Sequence, residues 1–404
     1  MMSPDGMPAT AALRGLKVVE FAHVIAGPFA GSLMGDLGAE IVHVEPPGVG
    51  DAQRVTGMHK DGVYLWWKVS GRNKRSVTLD LRTPEGQQIA HRLVEWADVV
   101  ITNFRVKTLE TWKLDWPSIH AVNPKIIMLQ VTGFGADTTL RNSPGFGKVG
   151  EAMSGVVHLT GFPDQTPIHT GFSHGDSVTG LFGAYSIMAA LYRRDHDKDF
   201  DGEWIDVALF EGLFRLCEWQ IIMYDQLGEP PMRAGNRLAN APAPVVNTYL
   251  SKDNVWVTVT SGTPRAVEKV AAMLGEPATE YDTPQKQYGH RDRLDGLLRE
   301  YVSSRTAEES LAFMAESEVV ASRIFDARDI VEDPTYIERG DVIEIEDADL
   351  GKVRMQAALP KMANHGGTVW RTGTALGADN DEVYGSFLGL DAEEIRRLEA
   401  QKII

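Results

Sequence analysis

The residues best placed to do chemistry lie in a glycine-rich stretch, residues 170–180, with Asp176 set between Gly175 and Ser177. Behind it runs a segment, residues 181–194, that reads as a helix. Val178, Leu181, Phe182, Tyr185, Met188 and Ala189 recur at steps of three and four and so share one apolar face. Arg193 and Arg194 fall in the last turn, where positive charge suits the helix dipole. Either Asp176 or Ser177 is then the N-cap, and the carboxylate sits among free backbone N–H groups at the positive end of the helix. That setting favours the ionised form and predicts a lowered pKa. On these residues alone Asp176 reads as a helix cap. Gly171, Gly175 and Gly180 leave room for a ligand or another backbone to come close.

Other candidates are scattered through the first third of the chain. Arg72, Lys74, Arg75 and Arg105 form a basic set that could hold phosphates, although charged loops are usually just solvated. His23, Asn103 to Arg105, and Gly133 to Gly135 each follow a segment that reads as a buried strand. His169 and His174 flank the Asp176 stretch, either orienting a substrate or making local loop hydrogen bonds. Glu151 reads as an exposed helix charge rather than an acid/base neighbour. The single cysteine, Cys217, sits in an apolar run and reads as a small core residue. No histidine or cysteine pattern has metal-ligand spacing, so no metal is expected.

The elements that must position these residues follow from the pattern. Strands are predicted over 17–21, 41–44, 97–101 and 125–131, with a further one at the end of 71–81. Helices are predicted over 26–37 and from Thr83 to about Trp96. Strand, short helix, strand at this spacing is a βαβ unit with a parallel sheet, and such sheets bind ligands beyond the carboxyl ends of their strands. The first turn lacks GxGxxG, which argues against a nicotinamide cofactor. Proline and glycine mark a linker at residues 228–236 and 241–244. A strand over 255–259 and helices over 264–274, 287–303 and 307–317 follow, then a strand-rich return from 341. The domains expected are a large one in 1–228, a small one in 229–335, and a segment in 336–404 that returns to the first.

Composition bounds the class. The chain has 404 residues, more than one ordinary core holds. Its 43% hydrophobic content describes a globular protein. No apolar run is long enough to span a bilayer, and residues 1–10 carry no secretory signal. With one cysteine, a cytoplasmic location is expected. A net charge of −16 argues against nucleic acid as the partner.

Taken together, residues 16–21, 23–28, 37–46, 73–80, 103–105, 123–127, 133–135, 175–176, 202–208 and 370–377 resemble the class III CoA-transferases. That family (the CaiB/BaiF type) includes the carnitine and formyl-CoA:oxalate enzymes, and the resemblance runs through nearly the whole chain in order. It implies an α/β fold: a Rossmann-like large domain plus a smaller α+β domain, in an interlocked, ring-shaped homodimer. It implies that Asp176 is the nucleophile, forming a mixed anhydride and then an aspartyl-CoA thioester. His23, Val24, Ile25, Ala26, Asn103 and Phe104 match segments that contact coenzyme A, and Arg75 the basic loop near its phosphates; Arg105, next to Phe104, is taken as a further coenzyme contact. An arginine that some members place after Glu45 is Pro46 here. The substrates implied are an acyl-CoA and a small carboxylic acid, with coenzyme A a substrate rather than a resident cofactor. The alternatives are an α-methylacyl-CoA racemase on the same fold and a CoA-binding protein without catalysis. The racemase pattern wants His-Asp where this chain has Gly145, Phe146 and Gly147.

Overall fold

The structure, a computed structural model, describes residues 6–237 and 245–404. The second half of the expected linker, 241–244, lies outside the described residues. Two compact units are present. One comprises Met1–Ser154, Thr170–Leu216 and Thr335–Ile404, and the other Gly155–His169 and Cys217–Pro334.

In the large unit a six-stranded parallel sheet is built from β1 (Lys17–Phe21), β2 (Glu40–Glu45), β3 (Lys74–Thr78), β4 (Val99–Thr102), β5 (Ile127–Thr132) and β6 (Glu203–Ala208). Their order is β3-β2-β1-β4-β5-β6. The chain therefore winds outward from β1 in one direction and then starts again at β4 in the other. Between β1 and β4 the connections diverge to opposite sides, which opens a crevice at the carboxyl ends of these two strands. Val18 and Val19 are both fully buried on opposite faces of β1. Val18 packs with Ile41, Ile101 and Leu129, and Val19 with Val42, Val100 and Leu93. Burial on both faces is why these strands read as near-continuous apolar runs.

Helix α1 (Ala26–Asp36) follows β1, and α2 (Pro84–Trp96) follows β3. Helix α2 has its causes in plain view. Thr83 caps it by accepting from the Gly86 N–H, Pro84 opens it, and Ile89, Ala90, Leu93 and Val94 form its buried face. The outer edge of β3 is closed by the C-terminal segment. Asp379 accepts from the Ser76 N–H at 2.8 Å and Asn380 from the Thr78 N–H at 2.9 Å, so the edge presents no free donors there.

Two more helices matter for the site, α3 (Gly147–Met153) and α4 (His174–His196). The apolar face read in α4 is divided: Val178, Phe182 and Met188 are half-buried. Leu181, Tyr185 and Tyr192 are exposed, while Gly175, Thr179, Gly180, Gly183, Ala184 and Ile187 are buried. The reason is the closeness of α1. A Cβ on Gly180 would lie 2.6 Å from the Ala26 carbonyl oxygen, so only small side chains fit between the two helices.

The small unit has its own core around Tyr249, Val257, Leu294, Leu298 and Met314. Strands β7 (Val245–Leu250) and β8 (Trp256–Ser261) pair antiparallel, with β9 (Ala321–Arg323) on the other side of β8. The helix expected over 287–303 is two, Pro284–Gly289 and Arg291–Ser303. The return from 341 is the hairpin of β10 (Val342–Asp347) and β11 (Gly351–Gln356). Among the described residues no helix is long and apolar enough to cross a membrane.

Candidate active site

Asp176 lies in the first turn of α4 and faces a cavity of about 410 Å³. The cavity walls come from the β1–α1 turn, the β4 and β5 carboxyl ends, and α3. The helix starts earlier than expected: Ser173 holds the cap position and makes no side-chain cap bond. Its cap is a carboxylate from another helix. Glu151 on α3 accepts from the Gly175 N–H at 3.2 Å. Glu151 is thus not an exposed helix charge but a buried one, 1% exposed. Lys148, one turn earlier, neutralises it with contacts of 3.0 Å to both oxygens. The same ammonium donates to the Thr170 and Phe172 carbonyls, tying down the loop before α4.

This arrangement reverses the expected charge behaviour of Asp176. Its pKa is not lowered but pushed up to about 6, first by burial and then by the negative charge of Glu151, with Lys148 opposing. The helix end does not stabilise the anion because Glu151 already occupies it. No hydrogen bond to the Asp176 carboxylate is found among the described residues. A carboxylate in that state is poorly solvated and therefore reactive once ionised.

Room for the carboxylate is made by a glycine. A Cβ at position 147 would meet Asp176 Oδ2 at 2.1 Å. Of the two glycines that stand where the racemase pattern wants His-Asp, Gly147 is thus the one that Asp176 packs against. Gly133 and Gly145 also approach each other directly, a Cβ on Gly145 falling 2.6 Å from the Gly133 Cα.

The expected coenzyme-contact residues divide into three groups. His23, Val24, Ile25, Ala26, Asn103 and Phe104 all line the Asp176 cavity. Asn103 is nevertheless committed: it accepts from the His23 N–H at 2.9 Å and donates to the His23 carbonyl at 2.6 Å, bridging the β1 and β4 ends. Burial lowers the His23 pKa, and its Nε2 lies 3.2 Å from the Val44 carbonyl, so the neutral ring donates there. Arg75 is not at the cavity. It is buried, 3.0 Å from Glu382 and stacked over Phe387. Arg72 and Lys74 are likewise taken, by Asp36 and Glu20. Internal carboxylates thus hold all three, and Arg72 also lines a neighbouring cavity. Arg105 is exposed, and with Arg141 it lines a smaller cavity, about 120 Å³, that shares Phe104, Gly133 and Gly145 with the Asp176 cavity.

A second cavity, about 370 Å³, shares Val24 and Ile25 with the first and is lined further by Phe29, Trp66, Ser177 and Leu359. His174 has a buried Nδ1 without a partner, its ring 5.2 Å from that of Phe172. Cys217 is half-buried, and burial raises its thiol pKa, which disfavours thiolate chemistry. The Lys148–Glu151 pair carried a signal in the sequence, opposite charges three residues apart, but nothing local told that it pointed inward.

Residues 13–380 match the model of CoA-transferase family III. The chain belongs to this family. Among family III relatives it is 40% identical to the succinyl-CoA–D-citramalate CoA-transferase of Chloroflexus aurantiacus, over 97% of this chain and 98% of that one. It is 32% identical to the beta subunit of the succinyl-CoA–L-malate CoA-transferase of the same organism, over 99% and 100%. Among solved family structures, a CaiB/BaiF family protein from Brucella suis superposes with a TM-score of 0.81 at 29% identity, covering 94% of this chain and all of that one. That superposition agrees with the α/β fold and parallel central sheet described above.

Proposed function

We propose that the protein moves coenzyme A from an acyl-CoA thioester to a free carboxylic acid, with Asp176 as covalent carrier. The observation that carries this reading is the half-buried carboxylate, without a hydrogen bond among the described residues, raised to a pKa of about 6 at the wall of a cavity. Family III membership supports the same chemistry. An Asp176 oxygen attacks the thioester carbonyl carbon; the C–S bond breaks and the CoA thiolate leaves, giving a mixed anhydride. The thiolate then attacks Cγ of Asp176 and expels the donor acid as its carboxylate, leaving an aspartyl-CoA thioester. The acceptor carboxylate attacks Cγ, the thiolate leaves again and closes on the acceptor's acyl carbon, and Asp176 is released as carboxylate. No net proton is consumed, so the site needs no separate acid. It needs exclusion of water from the anhydride and N–H groups to hold each oxyanion.

His23, Val24, Ile25, Ala26 and Phe104 form the wall along which we place the pantetheine arm, with the acyl group reaching over Ile25 into the second cavity. Arg105, with Arg141 beside it, is the expected phosphate contact. The names of the relatives support succinyl-CoA as the type of donor and a small dicarboxylic acid as acceptor. We propose a cytoplasmic homodimer of the interlocked kind, with the parallel-sheet unit as the CoA-binding domain. The exposed apolar residues Leu181, Tyr185 and Tyr192 on α4 support a second chain packing there. One relative is named as a beta subunit, so a native mass has to distinguish like from unlike partners.

The test is trapping. The enzyme is incubated with succinyl-CoA and hydroxylamine, and Asp176 is mapped by peptide mass. A hydroxamate at Asp176 is expected, because anhydrides and thioesters react with hydroxylamine and a free carboxylate does not. An unmodified Asp176, together with solvent deuterium entering a 2-methylacyl-CoA without any acceptor acid, would establish the racemase instead.

A further inference from the structure

Residues 23–26 form a wall common to both cavities, and their backbone is bent in a way their side chains disfavour. Val24 has φ of 68°, in the left-handed region where a β-branched side chain crowds its own backbone. Such a conformation persists only where its surroundings impose it. Asn103 fixes His23 on one side. On the other, both carboxylate oxygens of Asp51 accept from the Val24 N–H, at 3.0 Å each. Asp51 is itself anchored, accepting from the Gln53 N–H at 2.9 Å while its own N–H donates to Glu45 at 2.8 Å.

Behind Asp51 stands a row of buried charges of alternating sign. His43 Nε2 lies 3.3 Å from Asp51 Oδ2, an electrostatic contact rather than an aligned hydrogen bond. Its Nδ1 is 2.8 Å from Glu20, and Lys74 Nζ is 3.0 Å from both Glu20 oxygens. Asp51, His43, Glu20 and Lys74 are each 3% exposed or less. Burial alone would lower the His43 pKa, but the two carboxylates at its ring nitrogens push it up to about 9, so it stays cationic near neutrality. None of the four lines the Asp176 cavity. Burying four charges is costly even when they are paired, and here the row ends on the one strained residue of the cavity wall.

We propose that Asp51, backed by His43, Glu20 and Lys74, is a positioning residue of the reaction site: it holds Val24 in the left-handed conformation that turns residues 23–26 into the wall facing Asp176. This rests on the reading of that cavity as the place where the CoA ester reacts. A glycine at position 24 would adopt the same turn without a clamp, which supplies the test.

Asp51→Ala, Val24→Gly and the double variant are compared with the wild type for kcat/KM with succinyl-CoA, and for amide hydrogen exchange in peptides covering residues 22–27. Asp51→Ala is expected to lower kcat/KM about tenfold or more and to expose the Val24 amide to exchange. In the Val24→Gly background the same substitution is expected to cost less than about threefold. A residue that only stabilises the fold would cost the same in both backgrounds, and equal losses overturn the proposal. Should Asp51→Ala not fold, Asp51→Asn keeps the shape and one acceptor oxygen and is run through the same cycle. A smaller loss that Val24→Gly still relieves supports the clamp; a loss it does not relieve overturns it. If the wild type transfers no CoA, the functional reading has failed. The cycle is then read in amide exchange alone, where a Val24 amide as protected in Asp51→Ala as in the wild type overturns the clamp separately.

Discussion

Replacing Asp176 by asparagine should make the protein more stable at neutral pH while removing its chemistry. The carboxyl pKa is raised from 3.8 to about 6 in the folded chain. A raised pKa means that the folded state holds its proton more tightly than the unfolded state does. Stability therefore falls as pH rises through the window from about 4 to about 6, and the loss persists above it. Two pKa units at 1.36 kcal/mol each give about 3 kcal/mol as an upper bound, and partial solvent access to the side chain brings this to about 1–3 kcal/mol. Asparagine keeps the shape and removes the charge. In a large cooperative unit each kcal/mol moves Tm by roughly 2–4 °C, so Asp176→Asn should melt several degrees above the wild type at pH 7.5. The gap should close toward pH 4.5, where the wild-type carboxyl is protonated and the two side chains are equivalent in charge. Melting curves of both proteins at pH 4.5, 6 and 7.5 decide it. An Asn variant that melts lower at pH 7.5, or a gap of the same size at every pH, would refute the claim that ionised Asp176 is held at a cost by burial and Glu151.

The pH profile of kcat/KM should rise through about pH 6 in the wild type, as Asp176 ionises. Glu151→Gln removes the like charge and should carry that limb to lower pH by about half a unit to one unit; a limb that stays in place assigns it to another group. Gly147→Ala puts a methyl where Asp176 Oδ2 lies, so kcat should drop at least about tenfold with little change in Tm, and an unchanged kcat would mean that the carboxylate works from another position. Sedimentation of the native protein should give twice the chain mass, burying more than about 2,000 Å² with the exposed α4 face inside; an active species of single-chain mass at nanomolar concentration would count against it.

The strands were legible because a strand buried on both faces needs β-branched and aliphatic residues at most positions, and 17–21, 41–44, 97–101 and 125–131 supply them around a few polar residues such as Glu20 and His43. Asp176 was legible as a position, since glycines and a helix start are written locally. Its charge state was not. The helix-end argument counts only the N–H groups of α4, and the group that decides the matter, Glu151, arrives from α3, 25 residues earlier, and takes that end for itself. The packing of α4 was hidden for a related reason. Periodicity finds the face with large apolar residues, but contact with α1 selects for small ones, so Leu181 and Tyr185 are left outward. The partners of the basic set were hidden in the same manner: Arg72, Lys74 and Arg75 are positive in the sequence, and only the fold brings Asp36, Glu20 and Glu382 to them. In each case the sequence names a residue's chemistry, and a partner distant in sequence decides whether that chemistry is used inside the protein or offered to a ligand. The strain at Val24 belongs with these. Nothing in its neighbours calls for a left-handed valine, and it exists because Asp51, 27 residues away, accepts its N–H.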